Sequence, residues 1–476
     1  MKETFYLKRK KKKGFGSKLL FIIAILALAY IVYHYTPFFV KNPIHINVAY
    51  PQEYFSSDKN LDISIKDSKY PLKEVNVYVY TMNTKISIYD KIFENKNTYN
   101  FPLKFKLNQR LPGGPAKFVI EVEDYSHNNF SLGFKKKIEK QVTVYNHYPK
   151  VILLNDAANI LEGGSAAVLF YANDKIGLKN IYLQVKYANN KIAKFRCFNA
   201  DKFTNHPHTY IAFFTYPFCE QKNWDTSIVA QNNAGNQIFV HVPVYYESFK
   251  NKKTDVQVDT RFIETKVYRL LKEANISFNE QDPAQAFDLV INKLEKQNNE
   301  QIAQIANSVH TDQILFKGPF LQLPGSAVMA YFGDYRTFYY DNRPLTHEYH
   351  LGVDFASIKH AKVPAANSGV VVYTGNIGVY GKCILIDHGL GIFSLYGHLE
   401  DFLVQKGDFV QKGQIIAHTD TTGLAVGDHL HFGMLIDGYY VNPIEWLDGS
   451  WINNNIERKI ADARKRANML KYYISQ

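Results

Sequence analysis

In the first third of this 476-residue chain, apolar residues recur at every second position in one short run after another, and that period constrains the fold there more than any other feature. Successive side chains of a strand point to opposite faces, so an alternating run buries one face and wets the other. From 43 to 145, runs such as H-I-N-V and V-N-V-Y-V-Y alternate and are broken by the turn signals S-S-D-K-N and L-P-G-G-P. They predict a β-sandwich-like domain, and a second one follows over 147–256. Between 259 and 309 the apolar spacing changes to three and four residues in T-K-V-Y-R-L-L-K-E-A and A-F-D-L-V-I-N-K-L, which predicts amphipathic helices. The break S-F-N-E-Q-D-P-A supplies capping residues and a proline for the second helix. Short β runs separated by glycine return over 315–445 without a long interior helix, predicting an antiparallel β core with a loop-lined groove. A basic terminal helix over 452–472 is expected to dock back on the chain. The fold class is mainly β, and the length demands several domains.

The phrases E-V-E-D-Y-S-H-N-N-F and I-V-A-Q-N-N-A-G-N-Q stand near corresponding places of the two β segments. They resemble the repeated closing strands of immunoglobulin-like sandwiches, and spacing or docking is their expected work. Cys197 and Cys219 both fall in the second segment; on adjacent strands outside the cytoplasm they would be placed for a disulfide. Cys383, in the apolar run G-K-C-I-L-I-D, reads as buried core.

The N-terminus joins a basic tail over 1–18, containing K-R-K-K-K-K, to an apolar run over 19–33 that continues less strictly to 40. About 20 helical residues cross a bilayer, so 19–40 is expected to be a transmembrane helix. The flanking charge puts the tail in the cytoplasm and everything after 41 outside. Aromatic residues and Pro37 leave no small-x-small cleavage site, which favours an uncleaved anchor over a signal peptide. The tail supplies a sizeable part of the net charge of +12, so the basic balance partly reflects topology and lipid contact. No nucleic-acid-binding signature accompanies the lysines, and nucleic acid is not expected as a partner.

The chemistry is concentrated in three short phrases. In H-L-H-F the rings of His429 and His431 share one strand face while Leu430 enters the opposite layer. In H-L-G-V-D, His350 and Asp354 are four apart, and Gly352 permits a turn bringing the carboxylate back toward the imidazole. His398 ends the apolar run G-I-F-S-L-Y-G-H-L, near a strand terminus. Imidazole and carboxylate suit Zn²⁺. The remaining histidines of the sixteen, among them His310, His347, His360 and His388, read as surface or hydrogen-bonded side chains.

With these phrases the chain resembles the M23 family of zinc metallopeptidases, the lysostaphin and LytM type. The family's H-x-x-x-D is read at His350 and Asp354, its histidine after a strand at His398 in Y-G-H-L, and its H-x-H at His429 and His431. V-P-A-A-N-S-G-V-V, I-D-H-G and K-G-D-F-V-Q-K-G-Q-I-I-A match between them. The resemblance implies that His350, Asp354 and His431 are zinc ligands and that His398 and His429 are catalytic, as general base and transition-state stabiliser. It further implies an antiparallel β catalytic domain over 315–445 and an endopeptidase cutting peptide cross-links of peptidoglycan. With the anchor and no wall-sorting module, the chain looks like a single-pass inner-membrane protein facing the periplasm. D-alanyl-diaminopimelate bonds would then be the substrate, and a regulatory envelope protein an expected partner. No H-E-x-x-H helix is present, so no glutamate base of that other class is available.

Upstream of the first ligand, Y-F-G-D-Y-R-T-F-Y-Y-D-N-R-P-L-T-H-E-Y-H keeps Phe332, Gly333 and Arg336 of the family pattern but is heavily aromatic. Those rings would either grip substrate or pack beside the site. A different class of function is a catalytically silent wall-binding scaffold or activator of another hydrolase; the five intact site residues speak against it.

Overall fold

The computed structural model describes residues 15–35, 44–50, 52–82, 84–94, 97–107, 110–126, 133–156, 158–216, 224–248 and 252–474. They form two compact units, Met1–His147 with Asn233–Asn236, and Tyr148–Asn232 with Gln237–Gln476. Cys219 lies outside the described residues, so its pairing with Cys197 has no structural account.

The first unit begins with the helix Phe15–Tyr35. Among the described residues no helix is long and apolar enough to cross a membrane, and the span expected at 19–40 is therefore not supported. Residues 36–40 lie outside the described ones. Beyond them, a three-stranded and a five-stranded sheet enclose one core. The strand Asn60–Asp67 shows the reason: Leu61, Ile63 and Ile65 are buried while the residues between them are exposed, as period-two alternation requires.

In the second unit, two four-stranded sheets build a β module over 150–241. Its strand Ser165–Asn173 is buried at every position but the last. Both of its faces are covered, the outer one in part by the terminal helix Arg458–Ile474 that packs on it. Val168, Phe170 and Phe213 therefore belong to the same hydrophobic cluster as Phe355, Trp446, Ala463 and Leu470. This module shares its core with the region carrying the three histidine phrases. Polar contacts reinforce the join. The Ser165 N–H donates to Glu445 Oε2 at 2.8 Å and Trp446 Nε1 donates to the Ser165 hydroxyl at 3.1 Å. Arg196 Nε donates to buried Asp437 at 2.6 Å.

The eight-stranded sheet of this unit runs Ala327–Ala330, Val353–Ala356, Leu430–Ile436, Ile392–Leu399, Lys382–Asp387, Gly369–Asn376 and Phe409–Val410, with Tyr439–Val441 added beside Leu430–Ile436. All of its pairings are antiparallel. Its faces go to different partners. Leu430, Phe432 and Met434 enter the core shared with the β module, whereas Leu395 and Leu435 pack under helices over 260–273 and 283–307. Those helices form where the 3.6-residue period places Ile263, Val267, Leu271, Phe287, Leu294 and Ile302 on buried stripes. Asp259 and Asp282 cap them by accepting from the N–H groups of Phe262 and Gln285. Cys383 is fully buried on the helix-covered face, and burial pushes its thiol up to about 12.

Candidate active site

Strand register brings the site residues into one row. Asp354 stands opposite His431 on the next strand, and His431 stands opposite Gly397 on the strand beyond. Odd-numbered side chains of Leu430–Ile436 face the helices, so the His431 ring lies on the helix-covered face while Leu430 and Phe432 fill the other core. His350 follows the strand Arg343–Tyr349 and reaches the row from its edge. His398 comes one residue after Gly397 with φ 59°, a left-handed backbone that costs a non-glycine residue about 1–2 kcal/mol. It is held there because its carbonyl accepts from the Asp420 N–H at 2.8 Å and its Nδ1 donates to the Thr422 carbonyl at 2.7 Å.

Three donor atoms converge in this row. His350 Nε2 is 3.0 Å from Asp354 Oδ1 and 3.1 Å from His431 Nδ1, and the last two are 3.1 Å apart. Donors each ~2.0 Å from a tetrahedral zinc stand roughly 3.3 Å apart, so the triangle has the size of one ion. All three residues are buried, and a set of two imidazoles and one carboxylate suits Zn²⁺. The second atoms of His350 and Asp354 are committed elsewhere. His350 Nδ1 meets the Tyr331 carbonyl at 3.1 Å; a carbonyl only accepts, so Nδ1 carries the proton and Nε2 presents its lone pair. Asp354 Oδ2 accepts from Arg336 Nη2 at 2.9 Å.

The electrostatics agree with a metal-binding state. Burial alone would raise the Asp354 carboxyl, but the charges and hydrogen bonds of His350 and His431 outweigh it and hold the group well below its usual range. Burial pushes His431 down to about 4 and His398 well below 6.5, so these rings remain neutral near neutral pH. His429 is the more open ring. Its Nδ1 donates to the Gly427 carbonyl at 2.8 Å, its Nε2 is 3.6 Å from Asp354 Oδ1, and its centroid is 4.7 Å from that of His398.

Gly352 bends the chain where Asp354 Oδ1 comes back to within 3.0 Å of His350 Nε2, and packing adds a second demand at the same position. A Cβ there would lie 2.5 Å from Cε1 of His431 and 2.8 Å from the Phe432 carbonyl, so glycine is required by the close passage of the ligand ring. Of the other histidines, His347 packs on the ring of Tyr335, and His388 is buried between the Ser368 carbonyl and the Ser394 hydroxyl. Among the described residues a second group of donors, His360, Asp420 and Asp428, also gathers. There the His360 ring is taken by Glu400 at 2.7 Å and Asp428 accepts from Thr419 and from the His360 N–H.

The triad opens into a cavity of about 660 Å³ whose walls include Met329, Val426, Phe262, Phe287 and the strand Lys253–Gln257. Phe338 packs on Phe287 and Tyr335 on Tyr349, so part of the aromatic segment is wall rather than free surface. The helices also grip the loops that hold the histidines. Tyr380, whose ring lies 5.3 Å from that of His431, donates to Asn299, and Lys266 donates to the Thr421 carbonyl. These supports and the carbonyls of Tyr331 and Thr422 escape a motif search, because backbone acceptors have no residue signature. Arg336 does have one, but its bond to Asp354 depends on tertiary placement.

A buried triad of two histidines and an aspartate, opening on a cleft beside two further imidazoles, is the equipment of a metal-dependent hydrolase. Residues 348–443 match the model of peptidase family M23, and the chain carries an M23 metallopeptidase domain there. Over 109 residues the chain is 36% identical to the DD-carboxypeptidase/endopeptidase Mpg of Neisseria meningitidis serogroup B, a stretch covering 22% of this chain and 25% of that protein. Over 96 residues it is 38% identical to the peptidoglycan DD-endopeptidase ShyA of Vibrio cholerae, covering 20% and 22%. The chain thus spans about a quarter of the length of the curated relatives it matches. Among solved structures, a putative peptidase M23 from Pseudomonas aeruginosa is similar with a TM-score of 0.36 at 17% identity, over 61% of this chain and 95% of that one.

Proposed function

We propose that this chain is a zinc-dependent endopeptidase that hydrolyses peptide cross-links of peptidoglycan, D-alanyl-diaminopimelate bonds in particular. The observation that carries the reading is the buried triangle of His350, Asp354 and His431, with edges of 3.0–3.1 Å, open to a cleft. The named DD-endopeptidase relatives support the substrate class. In this reading the triad holds Zn²⁺, which when bound polarises a carbonyl and lowers the pKa of water toward ~7.

The protein's own groups then manage the protons. His398 has its Nδ1 tied to a carbonyl and its charge suppressed by burial, so Nε2 is a neutral acceptor for the proton of the attacking water. The same proton is delivered to the leaving amine. His429, on the open side of the cleft and beside Asp354, keeps its Nδ1 proton on the Gly427 carbonyl, so it donates from Nε2, as an imidazolium, to the oxygen on which charge develops. The apolar wall at Met329 and Val426 borders the cleft and contacts the stem peptide.

The N-terminal segment belongs to the same proposal: it anchors the chain in the inner membrane and leaves the catalytic domain in the periplasm. The apolar run over 19–33 behind a basic tail supports this; carbonate extraction that releases the chain from membranes would overturn it. The enzymatic reading is tested by mass spectrometry of muropeptides after cross-linked peptidoglycan is incubated with the purified chain, with and without a zinc chelator. Chelator-sensitive conversion of dimers to monomers is expected. Unchanged muropeptides from zinc-loaded protein that still binds sacculi would replace the enzyme with a scaffold.

A further inference from the structure

One charged side chain touches the proposed triad without belonging to it. Arg336 lies on the strand Tyr335–Tyr340, directly opposite Glu348 on the strand Arg343–Tyr349. Its Nη2 donates to Asp354 Oδ2 at 2.9 Å and its Nη1 to Glu348 Oε1 at 3.4 Å. The three side chains are 22%, 11% and 14% exposed, so the fork operates largely out of water, where charge-assisted hydrogen bonds are strong.

We propose that Arg336 is a positioning residue of the metal centre. By holding Oδ2 it leaves Oδ1 alone to face His350 and His431, and by bracing on Glu348 it fixes the carboxylate plane from the hairpin. Two effects of the guanidinium oppose each other. It draws electron density from the carboxylate and weakens it as a donor, and it removes the rotational freedom of a side chain whose two oxygens would otherwise compete for the ion. The second effect dominates, because groups of this kind raise metal affinity ~10–100-fold when they orient a ligand. Lysine cannot replace the fork: a single ammonium offers no planar pair of donors for carboxylates on two different strands.

The inference rests on the zinc reading of the triad, and the test separates the two. Zn²⁺ affinity of the full chain is measured by competition with a chromophoric chelator for wild type, Arg336→Lys and Arg336→Leu. Unfolding of each metal-free protein is followed in parallel. Zinc affinity is expected to fall ~10–100-fold in both variants, with Arg336→Lys unfolding at the wild-type midpoint when metal-free and regaining turnover at saturating zinc. A merely structural arginine would lower the metal-free midpoint and leave affinity unchanged. Wild-type affinity in a folded variant overturns the proposal. If Arg336→Leu does not fold, Arg336→Lys decides alone by the same criterion. A wild-type chain that binds no zinc overturns the triad reading itself.

Discussion

Asp354 and His431 face each other across two neighbouring antiparallel strands, with the carboxylate Oδ1 3.1 Å from the imidazole Nδ1. A one-residue slip of that register would send one of the two side chains to the opposite face of the sheet. The buried pair Val353 and Phe432, adjacent in the same register, makes such a slip costly, since it would expose apolar groups worth about 1.5–3 kcal/mol each. The hydrophobic layer behind the sheet thus holds the polar pair in front of it.

The two kinds of histidine should separate experimentally. His350→Ala and Asp354→Ala are expected to lose zinc and activity together. His398→Ala and His429→Ala should retain zinc and hydrolyse roughly 10²–10⁴-fold more slowly. Elemental analysis of the purified variants alongside their rates checks this, and equal metal content in all four would sink the assignment.

Burial holds His398 in its neutral form to well below 6.5. A base of lowered pKa stays competent as pH falls, so the acidic limb of turnover in zinc-saturated protein is expected below 6.5. A rate–pH profile with metal content verified at each point measures it; a limb at or above 6.5 would show that His398 does not set the limb.

Gly352→Ala would place a methyl group 2.5 Å from His431 Cε1. Backbone or ring must move, at a cost of about 1–3 kcal/mol, and the displaced ligand should weaken zinc binding by an order of magnitude or more. Metal titration with a denaturant series reads both effects. Wild-type affinity would mean that the ring relaxes without leaving the donor triangle.

Glu445 is a buried carboxyl whose value burial raises from 4.5 to about 8. The neutral form suits the folded state, so its contribution to stability is complete below 4.5 and is lost as pH rises through about 8. The loss has a slope of at most ~1.4 kcal/mol per pH unit. Glu445→Gln keeps an acceptor for the Ser165 N–H and cannot ionise. Its urea midpoint should therefore vary less than that of wild type between pH 6 and 8 and exceed it at pH 8. Parallel pH dependence in the two proteins would locate the linkage elsewhere.

The sequence by itself determined the local terms. Alternation at Leu61, Ile63 and Ile65 recorded a half-buried strand, and the 3.6-residue stripe from Ile263 to Ile302 recorded helices on a core. The spacing of His350 with Asp354 and of His429 with His431 named the residues that the structure gathers into one site. Such patterns are legible because each reports which side of a single element meets water. Tertiary structure decided the rest. It fused the second β module to the peptidase region through a strand buried on both faces and built one cleft wall from the helices. It also tied His350 and His398 to the carbonyls of Tyr331 and Thr422 and set Arg336 against Asp354. These contacts join distant elements or use backbone acceptors, and their existence depends on register and topology, for which no local period carries a signal.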